Sequence, residues 1–126
     1  MITHKNRSFL NRLGFASQGI LGAFKAERSL RVHAAGVAFV LVFCLILRPS
    51  LEWCAAFAIC CALVVSLELV NTAVEALLDV LHPAQSKQIG FAKDCLAGAV
   101  LIASLISVLV FVLYLVRHFG GPLAVS

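Results

Sequence analysis

Residues 66–80 read SLELVNTAVEALLDV, an apolar stretch that also carries the polar residues Glu68, Asn71, Glu75 and Asp79. At about 100° per residue, these four side chains fall within a sector of roughly 80° on one face of a helix. At 1.5 Å per residue, they are spread over about 16 Å of its length. The stretch therefore predicts a helix that carries a single polar stripe on an otherwise apolar surface.

The composition of the whole chain indicates the solvent around that helix. Hydrophobic residues make up 62% of the 126 residues, whereas charged residues make up 13%. A soluble domain of this size exposes much of its surface and needs more polar residues to cover it. The composition therefore predicts one integral membrane domain over residues 1–126 and excludes an ordinary soluble protein.

Three apolar stretches predict three transmembrane helices, at about residues 32–47, 53–80 and 95–116. A helix needs about 20 predominantly apolar residues to cross a hydrocarbon core of roughly 30 Å. Pro49 predicts a turn between the first two spans. The first stretch is short for a span, so we expect an earlier helix to continue into it.

An amphipathic segment precedes the spans, at about residues 7–30. Apolar residues recur there at helical spacing, with arginines and lysines between them. This pattern predicts a helix that lies on an anionic membrane surface. Gly14, Gly19 and Gly22 predict either breaks in this helix or its close approach to a span. The predicted fold class is therefore all-α, with three transmembrane helices and an N-terminal surface helix.

The basic residues predict the orientation of the chain. Arg48 and Arg117 lie at one end of the predicted bundle, and the other eight basic residues lie at the opposite end. Those eight are Lys5, Arg7, Arg12, Lys25, Arg28, Arg31, Lys87 and Lys93. Because cytoplasmic segments carry an excess of Lys and Arg, we expect the N-terminus and the 82–94 loop on the cytoplasmic side of a bacterial inner membrane.

Glu68 and Glu75 are the residues of the polar stripe that a purely structural role explains least well. Interhelical hydrogen bonds would account for Asn71, and exposure at the surface would account for Asp79. Ionisable groups at membrane depth are costly, however, and usually mark a site or a pathway. Carboxylates suit Mg²⁺, which often binds through one or two of them together with substrate phosphates. A deeper carboxylate can serve as a base for a lipid hydroxyl.

A second set of polar residues lies at the same predicted end of the bundle. Glu27 precedes the first span, and Lys93 and Asp94 precede the third. Lys93 offers a positive charge for a phosphate, and the acidic residues add carboxylates. Together with the polar stripe, these residues predict phosphoryl transfer at the membrane face. The sequence has neither a Walker A pattern nor a kinase glycine-rich loop, so a nucleotide would have to be held differently.

Three stretches carry a family resemblance: ERSLRVH at 27–33, LELVNTAVEALLD at 67–79 and AKDCLAGAVLIAS at 92–104. They resemble the prokaryotic diacylglycerol kinases, which are small integral-membrane lipid kinases. The E-x-x-N-x-x-x-E element followed by A-K-D is specific to that family. The resemblance implies transfer of the ATP γ-phosphate to the hydroxyl of diacylglycerol, giving phosphatidic acid, by a homotrimer of three-span protomers.

The resemblance also implies, by position, a role for each polar residue. Glu68 is expected to be the catalytic base, and Glu27 and Glu75 are expected to hold Mg²⁺ together with ATP phosphates. Five residues are expected to contact the nucleotide or its metal: Glu27, Asn71, Glu75, Lys93 and Asp94.

Other readings of the sequence stay open beside this one. ERSLRVH, including His33, is closer to the undecaprenol kinase branch of the family, and Ala97 stands where enteric diacylglycerol kinases tend to have serine. Undecaprenol is therefore the alternative acceptor. A more distant alternative is a small ion-conducting or transporter subunit, whose site would lie near the membrane midplane. A scaffold protein would not need the charged residues together.

Overall fold

Four helices account for almost all of the described chain. The computed structural model describes residues 8–84 and 86–121. The helices are α1 (Phe9–Ala26), α2 (Arg28–Leu47), α3 (Leu51–Leu81) and α4 (Lys87–Phe119). The last three are long and apolar enough to cross a membrane. The predicted all-α fold with three spans is therefore confirmed.

Helix α1 is continuous and contributes no buried residue. The Ser8 side chain caps it by accepting a hydrogen bond from the Asn11 N–H at 3.4 Å. A Cβ built on Gly14, Gly19 or Gly22 would have no neighbouring atom within 4 Å. These glycines therefore neither break the helix nor allow a close approach, contrary to the expectation from the sequence. The predicted start of this helix at residue 7 lies outside the described residues.

A corner at Glu27 separates α1 from α2. Glu27 has extended backbone, with φ −103° and ψ 123°, and α2 begins at the next residue. The Arg31 guanidinium donates hydrogen bonds to the carbonyl oxygens of Phe24 and Lys25, at 3.0 and 2.9 Å. It thereby satisfies carbonyls that the end of α1 leaves without a helical partner. Helix α1 thus ends at Ala26, four residues before the predicted end, and the first span is a separate helix that begins at Arg28.

A tight turn at Pro49 joins α2 to α3, as predicted. Arg48 ends α2 in the left-handed conformation, with φ 45° and ψ 58°. Next to the turn, aromatic rings from α2, α3 and α4 pack together. The Phe43 centroid lies 4.8 Å from that of Phe111 and 5.5 Å from that of Tyr114. Edge and tilted ring contacts of this kind fasten the three spans at this end of the bundle.

The helix hairpin of α3 and α4 forms the most extensive packing in the chain. Phe57 and Val64 of α3 and Val100 and Ala103 of α4 are buried. Most large apolar side chains on the three spans remain exposed, which is acceptable where lipid is the solvent. We call the end where α3 finishes and α4 begins the carboxylate end, and the end near the α2–α3 turn the arginine end.

Candidate active site

Glu68 is the buried acidic residue of the described chain, with only 2% of its surface exposed. It follows Phe57 and Val64 by 11 and 4 positions, so all three lie on the same buried face of α3. Its side chain makes no hydrogen bond or ion pair with a described residue. The helix therefore carries a carboxylate into the bundle interior and leaves its oxygen atoms free for a ligand.

Asn71 and Thr72 lie one helical turn closer to the carboxylate end. The Asn71 Oδ1 and Thr72 Oγ1 atoms are buried and have no hydrogen-bond partner among the described residues. An unsatisfied buried polar atom of this kind costs about 1–3 kcal/mol. Two adjacent ones beside Glu68 indicate a place that a bound molecule or another chain completes. Asn71 was predicted as a site residue, whereas Thr72 was not.

An ion pair between Lys93 and Asp79 connects α4 to α3. The Lys93 Nζ atom lies 2.5 Å from Asp79 Oδ1, and the two side chains are 33% and 66% exposed. This hydrogen bond raises the pKa of Lys93 above its usual value, and the negative charges of Asp79 and Glu75 act in the same direction. Lys93 therefore lies within electrostatic reach of the Glu75 and Asp79 end of the polar stripe.

The structure places the remaining predicted residues at the same end of the bundle. Glu75 is half-buried on α3, and Asp94 is exposed on α4 beside Lys93. Glu27 is half-buried at the corner and uses its side chain for no helix cap, which leaves that carboxylate free. Because α2 and α3 are joined at the arginine end, the corner at the start of α2 lies at the carboxylate end.

The depth of these groups follows from the length of α3. At 1.5 Å per residue, Glu68 lies about 26 Å from the first residue of α3, and Asp79 lies about 42 Å from it. A hydrocarbon core is about 30 Å thick. With the first residue of α3 set at one edge of such a core, Glu68 would lie just inside the hydrocarbon and the Lys93–Asp79 pair well beyond it. The site would then extend from lipid into water.

The donor atoms suit a hard divalent cation, although they form no complete metal site by themselves. Among the described residues, no three His, Cys, Asp or Glu side chains are grouped closely enough to hold a metal ion. Mg²⁺ does not require such a group, since it keeps several waters and uses one or two carboxylates with substrate phosphates. Glu75 and Glu27 supply carboxylates of that kind, and the Asn71 oxygen is free.

Comparison with known proteins identifies the family. The sequence model of the protein family described as prokaryotic diacylglycerol kinase matches residues 14–115. A diacylglycerol kinase from Synechocystis is 36% identical over 98 residues, covering 76% of this chain and 55% of the relative. The chain thus spans about half the length of that relative. An undecaprenol kinase from Bacillus subtilis is 32% identical over 110 residues, covering 85% of this chain and 89% of the relative.

The match to the family model, over residues 14–115, includes all three stretches on which the family resemblance rested. The chain belongs to the prokaryotic diacylglycerol kinase family.

Proposed function

We propose that this protein is an ATP-dependent lipid kinase that phosphorylates diacylglycerol to phosphatidic acid. The observation that carries the proposal is Glu68, a buried carboxylate without a hydrogen-bond or ion-pair partner among the described residues. The length of α3 supports a place for it near the edge of a hydrocarbon core. A lipid hydroxyl reaches that depth from the leaflet, whereas a nucleotide reaches the more exposed Lys93 from water. The two substrates therefore meet along one helix face.

Lys93 and the residues of the polar stripe have different roles in the proposed reaction. Glu68 accepts the proton of the acceptor hydroxyl while its oxygen attacks the γ-phosphorus of ATP. The bond from that phosphorus to the β–γ bridging oxygen breaks, and ADP leaves toward water. Lys93 exchanges Asp79 for a phosphate oxygen, and Asn71 orients the substrates through its free amide. Positioning and electrostatics account for most of such a phosphoryl transfer.

Magnesium is the proposed cofactor, with Glu75 and Glu27 as the residues that would hold it beside the ATP phosphates. Bound Mg²⁺ supplies positive charge that offsets the charge developing on the transferred phosphoryl group. Asp94, exposed one residue after Lys93, is proposed to contact the nucleotide.

A homotrimer in a bacterial inner membrane, with the carboxylate end facing the cytoplasm, completes the proposal. The unsatisfied Asn71 and Thr72 atoms support assembly, because a neighbouring chain could supply their hydrogen-bond partners. Neighbouring protomers would add walls that three thin helices lack. The excess of basic residues at the carboxylate end supports the orientation.

Undecaprenol is the second candidate acceptor, and one specific observation favours it. The Bacillus subtilis undecaprenol kinase aligns over 89% of its own length, whereas the Synechocystis diacylglycerol kinase aligns over 55%. Both alcohols would present a hydroxyl at the membrane surface to the same base. The proposed chemistry is therefore shared, and only the acceptor differs.

A competition assay tests the proposed function. The full chain, in mixed micelles, receives equal amounts of diacylglycerol and undecaprenol with ATP labelled at the γ-phosphate. We expect labelled phosphatidic acid to dominate and chelation of Mg²⁺ to stop its formation. Labelled undecaprenyl phosphate as the main product would favour the second candidate. Absence of any labelled lipid would contradict both. Ion flux without ATP across vesicles that contain the full chain would favour the transporter reading.

Lys93→Ala is expected to raise the KM for ATP at least about tenfold and to change the KM for the lipid little. The reason is that the lysine is proposed to hold a phosphate, and a hydrogen bond to a charged group is worth about 1.5–3 kcal/mol. Steady-state kinetics with each substrate varied in turn measures both constants. Lys87→Ala is the matched control, because this exposed lysine of α4 has no ion pair with a described residue. An equal rise in both KM values with loss of assembly would indicate a structural role for Lys93.

A further inference from the structure

A second polar site lies at the arginine end, opposite the candidate active site. A surface cavity of about 370 Å³ opens there between the α2–α3 turn and the last turns of α4. Its charged and titratable lining consists of Arg48, Arg117 and His118, and Trp53 and Tyr114 form an aromatic wall. The volume is near the lower end of the range for small-molecule sites, which suits a head group rather than a whole lipid.

The two arginines of this cavity are unpaired in the structure. Neither guanidinium forms a hydrogen bond or an ion pair with a residue of 8–84 or 86–121. The nearest acidic residue along the chain to Arg48 is Glu52, and its carboxylate forms no ion pair with a described residue. The positive charge of the cavity is therefore available to a ligand.

The backbone at Arg48 indicates that its side chain has a role. Its φ of 45° places it in the left-handed region, where glycine or asparagine is the usual residue after a helix. A side chain there costs about 1–2 kcal/mol. The positive-inside rule requires only that this end of the bundle carry few basic residues. It does not explain why one of them occupies a strained backbone position.

The wall of the cavity is rigid and suited to the membrane interface. Trp53 and Tyr114 meet edge to face with centroids 5.3 Å apart, and Tyr114 stacks on His118 at 5.4 Å. Tyr114 itself is buried, with 3% of its surface exposed. Tryptophan and tyrosine rings are typical of the level of lipid head groups. The cavity therefore has the aromatic wall expected at the level of lipid phosphates.

We infer that this cavity binds a phosphate group, supplied by the head group of an anionic phospholipid or by free phosphate. Arg48 and Arg117 would hold the phosphate oxygens, since the planar guanidinium matches phosphate with two parallel hydrogen bonds. The aromatic wall would hold the adjoining glycerol. This site is separate from the proposed phosphoryl transfer, because Trp53 at the cavity precedes Glu68 by 15 residues of α3, about 22 Å along the helix.

Trp53 allows a direct test, because it is the only tryptophan in the sequence and it lines the cavity. Its fluorescence in the detergent-solubilised full chain is titrated with phosphatidylglycerol or phosphatidylcholine that carries bromine on its acyl chains. We expect phosphatidylglycerol to reach half-maximal quenching at a concentration at least about fivefold lower, since each basic residue near an anionic lipid contributes about that factor.

Two variants and one control decide the origin of this preference. Arg48→Asn combined with Arg117→Gln should abolish it, and asparagine keeps the left-handed backbone accessible at position 48. Arg117→Gln alone should reduce it without touching the turn. Arg12→Gln combined with Lys25→Gln removes the same charge from α1 and should leave the preference unchanged.

The outcomes separate the sources of phosphate. Reversal of quenching by sodium phosphate, but not by sodium chloride of equal ionic strength, would support a site that also takes the free anion. No reversal, with the preference for phosphatidylglycerol intact, would support the lipid head group alone. Equal quenching by both lipids without a phosphate effect would overturn the proposal. A preference that survives in the double arginine variant would overturn it as well.

Discussion

Glu68→Gln is expected to lower kcat at least about a hundredfold while changing ATP binding little. A glutamine has the same shape but cannot accept the hydroxyl proton, and general bases contribute about 10²–10⁴-fold. Glu68 also lies about 10 Å along α3 from Glu75, so its loss leaves the proposed metal end intact. Turnover assays measure the first effect, and calorimetric titration with a non-hydrolysable ATP analogue measures the second.

Glu52→Gln is the matched control for this variant. It makes the same chemical change on the same helix, at the arginine end and on an exposed side chain. Its turnover should equal that of the unmodified chain. If Glu68→Gln turned over normally, or lost activity only because it no longer bound nucleotide, the role of Glu68 as a base would be wrong.

Glu75→Gln is expected to lower turnover by at least about two orders of magnitude, and Glu27→Gln is expected to do the same. Each removes a carboxylate proposed to hold Mg²⁺, and a catalytic metal is worth several kcal/mol of charge stabilisation. Both substitutions keep the size of the side chain, so the helices should assemble normally. Turnover measured across a range of Mg²⁺ concentrations, with circular dichroism to follow helix content, checks both points.

The metal dependence distinguishes this loss from a general one. We expect saturating Mg²⁺ to restore part of the activity, because a weakened site fills at higher concentration. Near-normal turnover of either variant at limiting Mg²⁺ would show that its carboxylate has no metal role. Glu52→Gln again serves as the control, with an unchanged Mg²⁺ dependence.

The sequence predicts the spans and the position of Glu68 well, because both depend on the regular geometry of a helix. Apolar length determines which segments cross the membrane, and a 3.6-residue repeat determines which side chains share a face. Glu68 lies on the same face as Phe57 and Val64, so its burial follows from their packing. These features need no knowledge of how the helices pair.

Features that depend on contacts between helices were not predictable in the same way. The Lys93–Asp79 pair depends on how α3 and α4 are aligned in their hairpin, which no periodicity encodes. The corner at Glu27 depends on Arg31 reaching back to carbonyls of the preceding helix. Thr72 resembled an ordinary membrane threonine, whose hydroxyl usually bonds to a carbonyl one turn earlier. Here that bond is missing.

The unequal lengths of the spans imply a sensitivity to bilayer thickness. Helix α2 has 20 residues, about 30 Å, whereas α3 and α4 have 31 and 33 residues, about 46 and 50 Å. The first length matches an average hydrocarbon core, and the other two exceed it by roughly 16–20 Å. The Pro49 turn sets α2 and α3 at one level, and the last turns of α4 line the same cavity as that turn, so the surplus emerges at the carboxylate end. A bilayer one helical turn thicker would therefore immerse part of the polar stripe in hydrocarbon. This hydrophobic mismatch would shift the lipid–water boundary relative to the place where the two substrates are proposed to meet.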